Sequence, residues 1–401
     1  MGNIPEMKRI MSMAADAPRS EAHLPLGFST STTFPYFAQW TKLYEGRGPL
    51  LGKGLITSNG AVWFHQRKTI APQLFMDKVK GNLNIMVESA SNLGPYEELA
   101  NSDNTQRDSF LQVCAPPPFL FLKFDKRCKF IIRFIFAFLP NATDIYHQGK
   151  SGCMETRERD SRFTHRHSKG NPEAASDKMA QIIMESAKTG ELGPSTPDQY
   201  IVDNCKDVYL AGFEVTAVAT LWGLVLLASN PEWQARLRAE ILEVCGGHVP
   251  DTNMLGKMKL LKMVIQEVLR LYPGVAFVSR QTLKDVKLGD ILVPKGVNIW
   301  IWIPALHQDP ELWGSDAEKF NPERFANGIS GACKSPNAYI PFGVGTRMCP
   351  GQNLAITEMK ILFTIILSHF SLSISPNYLH SPRLNLLLEP EYGVNLIIRK
   401  I

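Results

Sequence analysis

The stretch that decides the fold lies near the C-terminal end of the chain and reads Phe342-Gly343-Val344-Gly345-Thr346-Arg347-Met348-Cys349-Pro350-Gly351. Its glycines let backbone N–H groups turn inward, Arg347 adds a fixed positive charge, and the helix pattern that follows offers the positive end of its dipole. Each feature lowers the pKa of a thiol, so the sequence predicts that Cys349 is a thiolate and a metal ligand. A free cysteine in any other setting is usually only a small buried hydrophobic residue.

Two charged motifs precede this loop in a fixed order. Glu267 and Arg270 lie three residues apart on a predicted helix and therefore face the same way. Such a pair alone is usually a surface ion pair of little energetic value. Arg324 follows, in the segment Phe320-Asn321-Pro322-Glu323-Arg324-Phe325.

The spacing F-x-x-G-x-R-x-C-x-G, together with these upstream motifs, resembles the cytochromes P450, a family of haem-thiolate monooxygenases. The resemblance implies a mainly α fold with small β-sheets, forming one domain over 1–401. It also implies haem b (iron protoporphyrin IX) as the cofactor, with Cys349 as the iron ligand and electron donor. Phe342, Arg347 and Gly351 would complete the haem-binding loop. Glu267, Arg270 and Arg324 would form a buried triad that holds the segment before it.

Haem propionates need cationic partners, and the resemblance assigns three positions outside the loop to this task. Trp63 and Arg67 lie four residues apart on one face of a predicted helix. Arg280 stands where the family places a second propionate-binding arginine. The alternative is that each arginine is an ordinary surface residue. In that case Arg67 would be a solvated charge beside a packed Trp63.

The segment Ala211-Gly212-Phe213-Glu214-Val215-Thr216 resembles the oxygen-activating helix of the family. Glu214 would relay protons and Thr216 would supply a hydroxyl, so we name both as catalytic residues. The family has threonine at the position of Val215, and one residue along a helix turns a side chain by about 100°. Thr216 therefore cannot simply replace it, and we expect poor coupling, with hydrogen peroxide released or a substrate hydroxyl used instead. Ala-Gly in a helix can equally be a packing notch.

The layout of the family also implies which residues line the substrate pocket. These are mainly apolar and suit a bulky lipophilic molecule, although each could equally be plain core: Phe213, Val275, Ala276, Phe277 and Tyr392. Within the family, the chain resembles the plant seventy-two clan. In that clan it resembles the members that oxidise gibberellins, related diterpenoids or triterpenoids. The expected function is insertion of one atom of O2 into such a substrate.

Composition excludes some partners and suggests others. A net charge of +5 over 401 residues does not indicate a nucleic-acid partner. The resemblance implies NADPH-cytochrome P450 reductase as the electron donor, and Arg67, Lys68, Lys78 and Lys80 could form a basic docking face for it. It also implies the cytosolic face of the endoplasmic reticulum membrane. The first residues show no long apolar run, so the sequence predicts no anchor segment.

The two halves of the chain differ in regularity. Residues 197–401 show strong helix periodicity, with breaks at Asn230-Pro231, Gly246-Gly247 and Pro273. They end in a segment, Arg383 to Ile401, that we expect to form a closing hairpin. Residues 1–196 are irregular, and we expect N-terminal sheet strands and the elements that roof the pocket to be missing. Two further hypotheses stay open: a non-catalytic or truncated haem-binding homologue, and an interaction protein without haem.

Overall fold

The computed structural model describes residues 52–84, 86–87, 109–113, 175–282, 285–288, 290–384 and 387–401. Within these ranges the fold is mainly helical with small antiparallel sheets, as the sequence predicts. Most of the irregular stretch from 92 to 177 lies outside the described residues. The exceptions are a strand at Ser109–Val113 and the start of a helix at Ala175.

Eleven α-helices belong to the described part of the chain. They are α1 (Gly60–Ile70), α2 (Met76–Gly81), α3 (Ala175–Thr189), α4 (Pro197–Ser229), α5 (Pro231–Cys245), α6 (Thr252–Lys257), α7 (Lys259–Leu271), α8 (Ile303–His307), α9 (Pro310–Trp313), α10 (Ile329–Ala332) and α11 (Gln352–His369). Short 3-10 turns lie at Ala71–Leu74, Pro322–Phe325, Pro336–Ala338 and Gly345–Arg347.

The 33-residue helix α4 is the centre of the fold. Thr196 caps its start by accepting a hydrogen bond from the Gln199 N–H at 3.2 Å, and Asn230-Pro231 ends it, which confirms the predicted break. Its most apolar window is long enough to cross a membrane, but 67% of that window is buried inside the protein. A helix that is apolar on all sides is typical of the core of a large domain.

Helices α7 and α11 pack against α4. A Cβ atom on Gly223 would lie 2.3 Å from the ring of Phe363, so glycine lets α4 and α11 approach closely there. The helix α5 ends at Gly246, whose left-handed φ of 57° confirms the predicted stop. The largest fully buried side chains of this core include Trp222, Leu224, Leu261 and Phe363.

Four small antiparallel sheets flank the helices. Their strands are β1 (Ser109–Val113), β2 (Phe277–Gln281), β3 (Val286–Leu288), β4 (Ile291–Val293), β5 (Asn298–Trp302), β6 (Phe370–Ile374), β7 (Pro382–Leu384), β8 (Leu388–Pro390) and β9 (Val394–Lys400). The order is β1-β9-β6 in one sheet, with pairs β2-β5, β3-β4 and β7-β8. The expected single hairpin from Arg383 to Ile401 is therefore wrong. Within this segment β7 and β8 pair as a hairpin, whereas β9 pairs with β6 and β1.

Candidate functional site

The cysteine loop is a compact backbone structure between the 3-10 turn Gly345–Arg347 and α11. Gly343 and Gly345 have φ of 73° and 79°, a conformation that side chains with a Cβ rarely adopt. The N–H of Cys349 donates to the carbonyl of Phe342 at 2.8 Å, which closes the loop. Cys349 and Gly351 therefore stand at the entrance of α11, as the sequence predicts.

The electrostatics of Cys349 differ from the sequence prediction. Burial is the largest effect and raises the pKa of the Cys349 thiol, while a hydrogen bond from the Gly351 backbone and the charge of Arg67 act in the lowering direction. The expected lowering by Arg347 is wrong, because the cation that acts on the sulfur is Arg67. A coordinated thiol loses its proton to the metal's own charge, so a metal ligand needs no lowered pKa beforehand.

Three arginines from distant parts of the chain converge beside this loop. The guanidinium of Arg347 lies 4.2 Å from the ring centroid of Trp63 and donates to the carbonyl of Ser58 at 2.9 Å. Arg280 donates to the carbonyl of Val344 at 2.9 Å. Burial, followed by the charges of Arg280 and Arg67, lowers the pKa of Arg347 to about 10. The structure therefore brings together all the predicted propionate-binding side chains.

This set of residues fits haem on two observations. After burial, the charges of Arg280 and Arg67 lower the pKa of Arg347, which shows a concentration of positive charge that a group with two carboxylates would balance. In α4, Ala211 is exposed and the residues on either side of it are half-buried, and nothing lies within 4 Å of the place where a Cβ on Gly212 would be. A flat group could therefore approach the helix there.

The charged triad is assembled with one change of partner. Arg270 and Glu267 are fully buried and joined by two hydrogen bonds of 2.7 and 2.8 Å. Arg324 reaches Glu267 only at 3.6 Å, and its main partner is Asp316, whose carboxylate accepts from it at 2.9 Å. The hydrogen bonds from Arg324 are the first cause of a lowered pKa at Asp316. Arg324 therefore ties Glu267 to a fourth charged group.

His307 links the triad to the segment before the cysteine loop. Burial lowers the pKa of its imidazole to about 3, so the ring is neutral. Its Nδ1 lies 3.1 Å from the Arg270 carbonyl and its Nε2 accepts from the Ile340 N–H at 2.9 Å. A neutral imidazole with Nδ1–H as donor satisfies both contacts. The ring thus connects α7 to the backbone two residues before Phe342.

Three consecutive residues in the part of α4 that the sequence predicts to be oxygen-activating have different surroundings. Burial, followed by the charge of Glu389, raises the pKa of Glu214 to about 7. Val215 packs against Gly274, where an added Cβ would lie 2.5 Å from its Cγ1. Thr216 is buried and its hydroxyl bonds Glu358 of α11. Glu214 and Thr216 therefore do not act on one shared group.

The predicted substrate residues are spread over three elements. Phe213 on α4 is buried and stacks on Tyr209 at 5.6 Å. Val275 is half-buried and Ala276 is buried, in the segment that follows Gly274. The ring of Phe277 stacks on Trp300 of β5 at 4.9 Å. Tyr392, after β8, is 55% exposed.

The proposed basic docking face divides into two parts. Lys68, Lys78 and Lys80 are exposed on α1 and α2. Arg67 is half-buried and interacts electrostatically with Cys349, so its charge acts toward the interior of the protein. The lysines alone offer charge to a partner at this surface.

Sequence reasoning missed Asp316, His307, Glu358 and Glu389. The signal for Glu358 is in the sequence, because it shares a helical stripe with Leu354, Ile361 and Ile365 and is the one carboxyl group in that apolar stripe. The other three meet their partners across 8 to 175 residues of chain, where no local pattern applies. Only tertiary structure brings them together.

The chain is similar to known proteins over most of its length. The cytochrome P450 family model matches residues 111–396. Cytochrome P450 714C2 of Oryza sativa subsp. japonica is 38% identical, over 100% of this chain and 90% of that protein. Cytochrome P450 714A2 of Arabidopsis thaliana is 37% identical over 98% and 88%, and cytochrome P450 714B3 of Zea mays is 40% identical over 88% and 70%.

The rice alignment runs over 467 positions although this chain has 401 residues, so the relative has residues without a counterpart here. The family model begins after Trp63 and Arg67, whereas the rice alignment includes both. From these matches, the chain belongs to the cytochrome P450 family of haem-thiolate monooxygenases and is similar to its plant members.

Proposed function

We propose that this chain, as one domain over 1–401, inserts one oxygen atom into a lipophilic terpenoid, a gibberellin-type diterpenoid or a triterpenoid. NADPH-cytochrome P450 reductase supplies the electrons at the cytosolic face of the endoplasmic reticulum membrane. The single observation that supports the proposal most is the convergence of Arg67, Arg280 and Arg347 around the loop that carries Cys349.

Each part of the site has a physical task. Cys349 would bind the iron of haem b, and Arg67, Arg280 and Arg347 would orient its propionates. When bound, the haem supplies the oxygen-activating chemistry. Glu214 holds a proton near neutral pH, because burial raises its pKa to about 7, a value suited to general acid–base catalysis. Phe213 and Val275 would exclude water from the apolar pocket.

A second candidate function is haem binding without efficient turnover. Val215 has no hydroxyl, and the hydroxyl of Thr216 is already bonded to Glu358. The proton chain that starts at Glu214 therefore lacks a threonine partner among the described residues. This observation favours a poorly coupled or non-catalytic homologue.

Two measurements separate these functions. The purified chain, loaded with haem, reduced and treated with carbon monoxide, should show the Soret band typical of thiolate ligation. Addition of reductase, NADPH and a panel of gibberellin-type diterpenoids and triterpenoids should then yield a product with one added oxygen. A thiolate band without product on any terpenoid would support the second candidate, and no thiolate band would contradict both.

A further inference from the structure

The threonine hydroxyl of α4 faces the interior of the protein. Thr216 is only 4% exposed and its hydroxyl bonds Glu358 on α11. Residues two apart on a helix differ by about 200° in direction, so Glu214 points to nearly the opposite side. Any proton partner of Glu214 must therefore come from an element that packs on that other side.

Strand β8 packs along α4 on the side of Glu214. The indole N–H of Trp222 donates to the carbonyl of Leu388 at 2.7 Å. Trp222 lies eight residues beyond Glu214 and about 80° further round the helix, so it is closer in direction to Glu214 than to Thr216. The N–H of Leu388 in turn donates to the carbonyl of Gly274 at 3.3 Å.

Gly274, which accepts the hydrogen bond from Leu388, also lies directly against Val215 of α4. The strand is therefore held to α4 both near Glu214 and near Trp222. The residue after Leu388 is Glu389, which is half-buried. Its backbone position places a second carboxyl group beside the oxygen-activating turn of α4.

Electrostatics agrees with this placement. The charge of Glu389 is the second cause, after burial, of the raised pKa of Glu214. On the far side of the hairpin, Arg383 of β7 stands opposite Glu389 in the strand register, and its guanidinium lies 3.7 Å from Glu391. Arg383 adds a positive charge to this strand pair, and burial raises the pKa of Glu214 to about 7, so a proton shared by the two glutamates resides on Glu214 near neutral pH.

We propose that Glu389 is the proton partner of Glu214 and takes the place of the missing threonine hydroxyl in this chain. Glu214 gives its proton to the reaction and becomes a carboxylate. Glu389 accepts a proton from a hydronium ion of the solvent, which becomes water, and passes it to Glu214, so both groups return to their starting states. The proposal rests on the proposed function, since it assigns a second proton-transfer residue to the same site.

The first test measures the pair itself and needs no turnover. In the full-length protein labelled with 13C at the glutamate side-chain carboxyl, the NMR signal lost in Glu214→Gln identifies Glu214, which should titrate at about 7. In Glu389→Gln its midpoint should fall by roughly half a pH unit or more, because a like charge is removed. Glu243→Gln, an exposed position on α5, removes the same charge and should leave the midpoint unchanged.

A second variant, Glu389→Ala, covers the case in which Glu389→Gln does not fold. It also removes the charge at position 389, so the midpoint of Glu214 should fall in it by a similar amount. A midpoint of Glu214 that is unchanged in either variant would overturn the proposal.

The second test measures proton delivery in the haem-loaded protein with reductase and NADPH, without added organic substrate. The alkaline limb of NADPH consumption should move to lower pH in Glu389→Gln, in step with Glu214, and stay in place in Glu243→Gln. A shifted NMR midpoint with an unmoved limb would overturn the relay. Failure to form a thiolate-type band would contradict the proposed function and with it the relay, while the NMR titration would still show whether the two carboxyl groups interact.

Discussion

The cysteine side and the α4 side of the proposed haem site are held by different kinds of interaction. Beside Cys349 the backbone is fixed by its own hydrogen bond to Phe342, by His307 and by the buried pair of Glu267 and Arg270. Beside Glu214 no such network surrounds the side chain in the described part of the chain. On the α4 side, each side chain contacts whichever element packs against the face of the helix on which that side chain lies.

The difference shows which property each side requires. Holding a cysteine in place as an iron ligand requires one backbone geometry. A short motif with fixed glycines and charges specifies that geometry. Proton delivery requires side chains to meet across elements, and a change of one residue, such as valine at 215, can redirect it. The cysteine side is therefore the more rigid and the more easily recognised part.

The largest expected effect is on the cysteine side. Cys349→Ser should abolish the thiolate-type Soret band of the reduced, carbon-monoxide-treated protein, because a serine hydroxyl cannot supply the sulfur ligand. Cys333→Ser is the matched control, since this half-buried cysteine lies outside the haem-binding loop and donates to carbonyls of its own turn, at Ile329 and Ser335. Persistence of the band in Cys349→Ser would contradict the assignment of Cys349 as the iron ligand, on which the comparison of the two sides depends.

The next largest effect concerns the charges behind the loop. Arg270→Ala should lower the free energy of unfolding by about 3 to 5 kcal/mol, because the buried Glu267 loses its two short hydrogen bonds and keeps the longer ion pair with Arg324, at 3.6 Å. Urea unfolding monitored by circular dichroism measures this change. The exposed pair of Arg236 and Glu323 provides the control, and Arg236→Ala should cost less than about 1 kcal/mol. Equal losses in the two variants would show that the cysteine side is not held by its buried charges.

The same contrast explains what the sequence could predict. Helices α4, α5, α7 and α11 follow from apolar periodicity and from breakers such as Asn230-Pro231 and Gly246, because these are local properties. The positions of Cys349, Arg347 and Arg67 follow from motif spacing. The action of Arg67 rather than Arg347 on the sulfur, and of Asp316 on Arg324, depends on where long side chains end after folding.

The pairing of β9 with β6 shows the same limit in the fold itself. Two adjacent strand-like segments near a C-terminus suggest a hairpin, and β7 and β8 do form one. The last strand, β9, instead pairs with β6, which follows α11 directly in the chain and is therefore positioned by that helix. A similar tertiary effect turns Thr216 toward Glu358, which no spacing rule predicts.

The third prediction concerns the contact between α4 and α11. Burial raises the pKa of Glu358 to about 8, so the folded chain binds this proton more tightly than the unfolded chain. The free energy of unfolding should therefore fall as pH rises from the ordinary value of 4.5 to about 8. Glu358→Gln keeps an amide for Thr216 and should flatten this slope.

Urea unfolding at pH 6 and pH 8.5 checks this prediction, where the pH values bracket roughly the upper part of the titration. Other titrating groups cancel when parent and Glu358→Gln are compared. Glu243→Gln should keep the slope of the parent, because that side chain is exposed on α5. A parent protein with the same slope as Glu358→Gln would mean that Glu358 is ionised in the folded state, and that Thr216 bonds a carboxylate.

The smallest effect is expected on the α4 side, from Val215→Thr. Threonine has nearly the shape of valine, so its methyl group can keep the contact with Gly274 while its hydroxyl replaces the other methyl. With a hydroxyl one residue from Glu214, product formed per NADPH consumed should rise by roughly twofold or more, because proton delivery gains a positioned donor. Hydrogen peroxide release should fall in parallel.

Val202→Thr, a half-buried position near the start of the same helix, is the control and should change neither ratio. If Val215→Thr gives no gain in an otherwise active enzyme, the threonine hydroxyl is not what limits coupling, and the difference between the two sides lies elsewhere. A gain that persists in the double variant with Glu389→Gln would show that the hydroxyl works independently of the glutamate pair. A gain lost in that double variant would place both groups on one proton path, since non-additive effects indicate residues that act together.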